Sequence, residues 1–183
     1  LLPQLKTEPL NLALSSGLGI ADIQTILAAL YANEGVDENG NQGIATLQAL
    51  YLLGPVAGAD VLAQWATQDA TIAATVFGDL INLFARDENG EINTDDAVLA
   101  ADTAAVMLMA MKNPNDAIAL FTQLATIDLD AAVIFLDHKA LTMPDLVADL
   151  VTTISVDALS DLVLATKSIT AAKIIESLDP IKA

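Results

Sequence analysis

Along this chain apolar residues recur at helical spacing and do not settle into strict alternation. Ile20, Ile23, Ile26, Leu27 and Leu30 fall on one face of a helix over 20–32. Ile44 to Leu53 predicts a second helix, ended by Gly54-Pro55. Asp60 to Ala66 reads as a third helix and Ala70 to Ala85 as a fourth. Thr94 opens a long one that runs to Met111. Asn113-Pro114 restarts the chain, with Asn as N-cap and Pro at the first helical position. No segment carries the period of a half-buried strand, so the expected fold class is all-α, an array of short helices.

The last third has a shorter period. Candidate caps at Asp128, Thr142, Ser155, Ser168 and Asp179 lie 11 to 14 residues apart. One position after the first four come Leu129, Met143, Val156 and Ile169; four positions after them come Ala132, Leu146, Leu159 and Ala172. Each unit is a cap, a staple-like apolar residue and about two turns of helix. Such helices are not stable alone and must stack on neighbours, which predicts a solenoid-like C-terminal third. The chain thus divides into a helical region over 1–127 and short-helix repeats over 128–183, within one continuous domain. The first region reads as a diverged duplication. Tyr31-Ala32 leads to Asp37-Glu38-Asn39-Gly40, and Phe84-Ala85 leads to Asp87-Glu88-Asn89-Gly90. Further on, the run Trp65 to Asp69 parallels Leu124 to Asp128.

Three runs carry a resemblance: Ser155-Val156-Asp157-Ala158-Leu159, Ile169 to Ile175, and Leu178-Asp179-Pro180-Ile181-Lys182-Ala183. They resemble the short-helix repeats of the N domains of MgtE-type magnesium transporters. The resemblance implies a right-angled stack of short helices. It does not bring the family's ion-sensing acids with it, because no specific motif aligns.

Composition sharpens this picture. Of 183 residues, 54% are hydrophobic and only 4% aromatic, which argues against disorder and for an Ala/Leu-rich helical core. There are 24 acidic residues against 7 basic ones, a net charge of −17. That field repels phosphate backbones and anionic lipid, and favours cations and basic partners. The absence of cysteine excludes disulfides and thiolate chemistry. The two most apolar uncharged-looking runs, Ile44 to Ala59 and Val98 to Met111, are shorter than a membrane span, and the second contains Asp102. The start at Leu1 reads as a processed or partial chain, and with the acidic surface it points to an extracellular or otherwise exported protein.

The most suggestive chemistry lies in the two Asp-Glu-Asn-Gly loops. On a twelve-residue calcium loop beginning at Ala85, Asp87 takes position 3, Asn89 position 5 and Gly90 the turn at position 6; Glu91 and the apolar Ile92 follow, then Asn93 at position 9 and Asp96 at position 12. The run Ile92 to Leu99 resembles the end of a dockerin calcium loop entering its helix, which implies calcium-dependent partner binding. Position 1, an Asp in such loops, is Ala85, so a strong ligand is missing. The first loop offers Asp37, Asn39 and Asn41 at positions 1, 3 and 5, but Gln42 replaces the turn glycine and Gln48 the closing carboxylate. The same residues also read as turn chemistry followed by a capped helix, with Asn93 or Thr94 as N-cap and Asp95 and Asp96 at the positive helix end.

Enzyme signatures are weak. His138 is the only histidine and reads as a loop residue. Ser15-Ser16-Gly17 lacks a nucleophile elbow's flanking glycine, and Gly17-Leu18-Gly19 lacks a phosphate loop's Lys-Ser/Thr ending. Trp65, Phe77, Phe84, Phe121 and Phe135 fall at core positions, and Met107, Met109 and Met111 on a helix that reads as buried; the same residues offer the lining for a cofactor or lipid pocket. The expected function is therefore non-enzymatic: a protein–protein interaction module or a structural subunit of a larger assembly, binding another protein or copies of itself. The alternatives are a calcium-dependent binding module and a carrier of a hydrophobic ligand or cofactor.

Overall fold

Capping residues and prolines set the helix boundaries. The computed structural model describes residues 17–35, 43–87 and 89–178. These residues form α1 (Ile20–Asn33), α2 (Ile44–Leu52), α3 (Gly54–Gln68), α4 (Ala70–Ala85), α5 (Thr94–Ala110), α6 (Pro114–Ile127), α7 (Leu129–Lys139), α8 (Pro144–Val151), α9 (Val156–Ala165) and α10 (Ser168–Ser177). Among the described residues there is no strand, only an isolated antiparallel bridge between Arg86 and Ile92. The all-α expectation holds. No described helix is long and apolar enough to cross a membrane.

Single residues join several helices. Asp69 ends α3 and caps α4, its side chain accepting from the Ile72 amide at 3.0 Å. Asp128 does the same between α6 and α7, accepting from Ala131 at 3.0 Å. Asn93, Asn113 and Ser155 cap α5, α6 and α9. Each cap satisfies a helix-end N–H that has no partner inside its own helix. Glu34, just past α1, caps α2 from outside: its carboxylate accepts from the amides of Ala45 at 2.9 Å and Thr46 at 3.2 Å.

Five sequence expectations are corrected. Gly54-Pro55 does not only end α2; it begins α3, which therefore starts six residues before Asp60. Proline needs no donor in a first helical turn, so it starts helices as readily as it stops them. Thr142 is not a cap: Pro144 opens α8 behind Met143, and the Thr142 hydroxyl donates to the His138 carbonyl. Ser168 is already helical, behind Lys167. His138 lies in the last turn of α7 rather than in a loop. Met109, unlike Met107 and Met111, faces solvent at 53% exposure. Asp179 lies outside the described residues.

Packing follows sequence order. Each helix packs on the helix two places along: α1 on α3, α3 on α5, α5 on α7 and α7 on α9 in one series, and α2 on α4, α4 on α6, α6 on α8 and α8 on α10 in the other. No extensive contact joins helices more than three places apart. One apolar cluster runs from Ile23 to Ile174, with Phe77, Phe121 and Phe135 fully buried. Phe121 and Phe135 meet at 5.2 Å between ring centroids, and Tyr31 meets Trp65 edge-on at 6.0 Å. Buried alanines at 97, 100, 101, 104 and 105 let α5 approach α4 and α7 closely.

Polar ties repeat along the odd series. Gln68 at the end of α3 donates to Gln24 of α1. Lys112, just past α5, pairs with Asp60 of α3 at 2.8 Å. Lys139, the last residue of α7, pairs with Asp102 of α5. Lys167, just past α9, pairs with Asp137 of α7 at 3.9 Å, and its amide donates to the same carboxylate at 2.9 Å. Each tie runs from the C-terminal end of one helix to its predecessor in the series. A lysine there also complements the negative end of the helix dipole.

Candidate functional site

The second Asp-Glu-Asn-Gly loop folds as a closed turn. Gly90 takes a left-handed φ of +78°, as the turn position requires. Asp87 is the hub: its Oδ1 accepts from the amides of Asn89 at 2.8 Å and Glu91 at 3.0 Å. These backbone donors hold the Asp87 carboxyl below its ordinary pKa. Arg86 closes the other side, donating to the Gly90 carbonyl at 3.0 Å and reaching Asp130 of α7 at 3.6 Å. Asn93 caps α5, its Oδ1 accepting from Asp95 at 3.0 Å and Asp96 at 3.4 Å, and Asp96 stands in the first turn. Among the described residues no three Asp, Glu or His side chains gather to hold an ion. The Asp87 oxygen is thus already engaged by amides, and a guanidinium sits on the turn. Asp37, Asn39 and Asn41 of the first loop lie outside the described residues.

A second polar cluster is buried between α1, α4 and the α6–α7 junction. The Tyr31 hydroxyl donates to Asp79 at 2.8 Å. Burial pushes the Asp79 carboxyl above its ordinary value and the Asp128 charge adds to the rise, while the Tyr31 hydrogen bond opposes it. Burial, then the contact with Asp79, holds the Tyr31 hydroxyl far above its usual range. Asn82 donates to Asp128 at 2.8 Å, leaving its own Oδ1 buried without a partner. In the last turn of α7, burial lowers the His138 pKa and the Lys167 charge adds to the fall.

A groove of about 380 Å³ lies where α2 gives way to α3 and both face α5; Tyr51, Pro55, Asp102, Thr103, Val106 and Met107 line it. The Tyr51 ring leans on Phe84 at 4.6 Å. On the same helices Leu52 (α2), Val56 (α3), Leu99 and Met109 (both α5) stay exposed. Leu99, Asp102, Val106 and Met109 follow i, i+3, i+7, i+10 spacing, one helix face. The single carboxylate of the lining, Asp102, is the partner of the buried Lys139.

Of the groove residues the sequence offered only Met107, as one of several side chains that could line a hydrophobic pocket. Asp102 stood out only as an acid interrupting an apolar run. The regular placing of Lys112, Lys139 and Lys167, 27 and 28 residues apart in a chain with few basic residues, was a readable signal of the ties. No known protein family, curated protein or solved structure matches the chain.

Proposed function

We propose that the protein is a non-enzymatic interaction module, a solenoid-like helix array that takes a partner segment in the α2–α3–α5 groove. The repeated packing of each helix on the one two places along supports the solenoid reading, since stability there is a sum of neighbour contacts. The observation that carries the binding reading is the groove itself: a concave surface lined by Tyr51, Pro55, Thr103, Val106 and Met107, with one carboxylate, Asp102, in its lining. An amphipathic helix presenting apolar anchors and basic residues fits both the groove and the net charge of −17.

Peptide display with the intact protein as bait and Val106→Asp as counter-bait tests the reading. Enrichment of helical, groove-dependent binders supports it. No enrichment, or equal enrichment on both baits, overturns it. The groove's volume and apolar lining also favour a small hydrophobic ligand. Saturable binding of a fluorescent fatty-acid analogue, lost in Val106→Asp, supports that second reading; absence of binding removes it.

A further inference from the structure

The outward face of α5 has a spacing of its own. Asp95, Leu99, Asp102, Val106 and Met109 succeed one another by steps of four, three, four and three residues. All five are exposed, while Ala97, Ala101, Ala104, Ala105 and Leu108 among them are buried. Alternating steps of three and four are the a and d positions of a heptad, the seam along which one helix packs on another. From Asp95 to Met109 the seam runs about 21 Å at a helical rise of about 1.5 Å per residue. Within the array α5 packs on α3, α4 and α7. The seam is the side these neighbours leave open, and through Asp102 and Val106 it forms part of the groove's wall.

We infer that the groove's occupant is a partner helix laid along this seam, with basic side chains seven residues apart set against Asp95 and Asp102. The inference rests on the groove being the binding site. Spacing selects a helix: the three–four repeat of α5 is matched by the ridge of another helix. Among the described residues there is no strand, so an extended segment finds no sheet edge to join. Charge selects the bases. Two of the five seam positions are carboxylates, Asp96 stands beside the first, and no basic residue falls between Arg86 and Lys112. Lys139 engages Asp102 through Oδ1, and the Asp102 side chain stays more than half exposed, leaving its other oxygen to accept from a partner's ammonium or guanidinium. The two acids lie in the N-terminal half of the seam, and Lys112 stands beyond its far end. The partner's bases therefore belong to the end that lies over the start of α5. A polar residue at a seam position specifies register, which makes Asp102 the specificity-determining residue of the groove. A nucleic-acid strand or an anionic bilayer would meet carboxylates where it needs cations.

Selection of a helical peptide library on two forms of the full chain tests this. The baits are Lys139→Met, and Lys139→Met combined with Asp102→Lys, so that neither strands a buried ammonium; circular dichroism checks that both keep the wild-type helicity. The first bait is expected to enrich sequences with the three–four apolar repeat and Lys or Arg at two seam positions seven apart, and these should also bind the wild type. The second is expected to enrich Asp or Glu at the position facing residue 102. Exchanging the selected peptides between baits should cost about tenfold in affinity, read by fluorescence anisotropy. Leu164→Asp, on the exposed face of α9, should cost nothing. Binders that depend on Val106 but lack the seam bases, or the same sequences enriched on both baits, overturn the inference and leave the groove reading standing. If no binder is lost in Val106→Asp, the groove reading itself fails and this inference falls with it.

Discussion

The Asp102–Lys139 pair joins the helix array to the groove, and its removal gives a quantitative test. The Lys139 side chain is 3% exposed and that of Asp102 54%. Breaking a fully buried pair costs about 3–5 kcal/mol, whereas an exposed pair contributes about 0–1 kcal/mol. With one end buried and the other half in water, Asp102→Ala is expected to cost about 2 kcal/mol, most of it from stranding the Lys139 ammonium. Lys139→Met removes that charge and keeps an unbranched apolar stem, so it should stay within about 1 kcal/mol of the wild type. In the Lys139→Met background, Asp102→Ala should then cost less than about 0.5 kcal/mol. Urea unfolding of the four proteins, monitored by circular dichroism, gives the coupling energy. If Asp102→Ala costs the same in both backgrounds, Lys139 does not depend on Asp102 and the reasoning fails. Lys139→Met also frees the Asp102 charge at the groove, so a basic groove ligand should bind several-fold tighter to it.

Further outcomes follow from other sites. Gly43 has a φ of +66°, and an added Cβ would lie 2.2 Å from the Tyr31 ring; Gly43→Ala should cost roughly 2–5 kcal/mol in urea unfolding, from left-handed backbone strain and overpacking together. The raised Asp79 pKa means the folded chain keeps a proton that the unfolded chain releases above 3.8. Stability is therefore lost as pH climbs from 3.8 through the folded pKa. Asp79→Asn, which keeps an acceptor for Tyr31, should raise the melting temperature at pH 7 and leave it unchanged at pH 3. Burial lowers the His138 pKa in the folded chain, so stability should decline as pH falls below 6.5, and less so in His138→Gln. Because amides engage one Asp87 oxygen and Arg86 donates to the Gly90 carbonyl, calorimetry with millimolar calcium should show no binding heat; heat abolished by Asp87→Ala and Asp96→Ala would establish a calcium loop.

The helices were legible in the sequence because their signals are local. Apolar spacing placed α1 and α4, and Asn93, Asn113, Asp128 and Ser155 announced their own caps. Errors fell where one residue type serves two local purposes. Pro55 stops one helix and starts another, and Thr142 can cap a helix forward or bond backward to His138. Met109 shows the limit of periodicity: in an alanine-rich helix touched on several sides, one turn of apolar residues does not say which stay in water. The groove was not legible at all. It exists because α2, α3 and α5 meet, and the spacing of Tyr51, Pro55 and Val106 along the chain says nothing of that meeting. The calcium-like loop was legible as a pattern, but the donors that occupy Asp87 are backbone amides, which no side-chain motif displays.

The most direct measurement of the central claim is the affinity of a display-selected helical peptide for three proteins, read by fluorescence anisotropy: the wild type, Val106→Asp in the groove and Leu164→Asp on α9. A charge placed at a central apolar contact removes about 2 kcal/mol or more, roughly thirtyfold in affinity. The account predicts that loss for Val106→Asp and wild-type affinity for Leu164→Asp. Equal affinity for all three, or a loss confined to Leu164→Asp, would contradict the groove as the binding site.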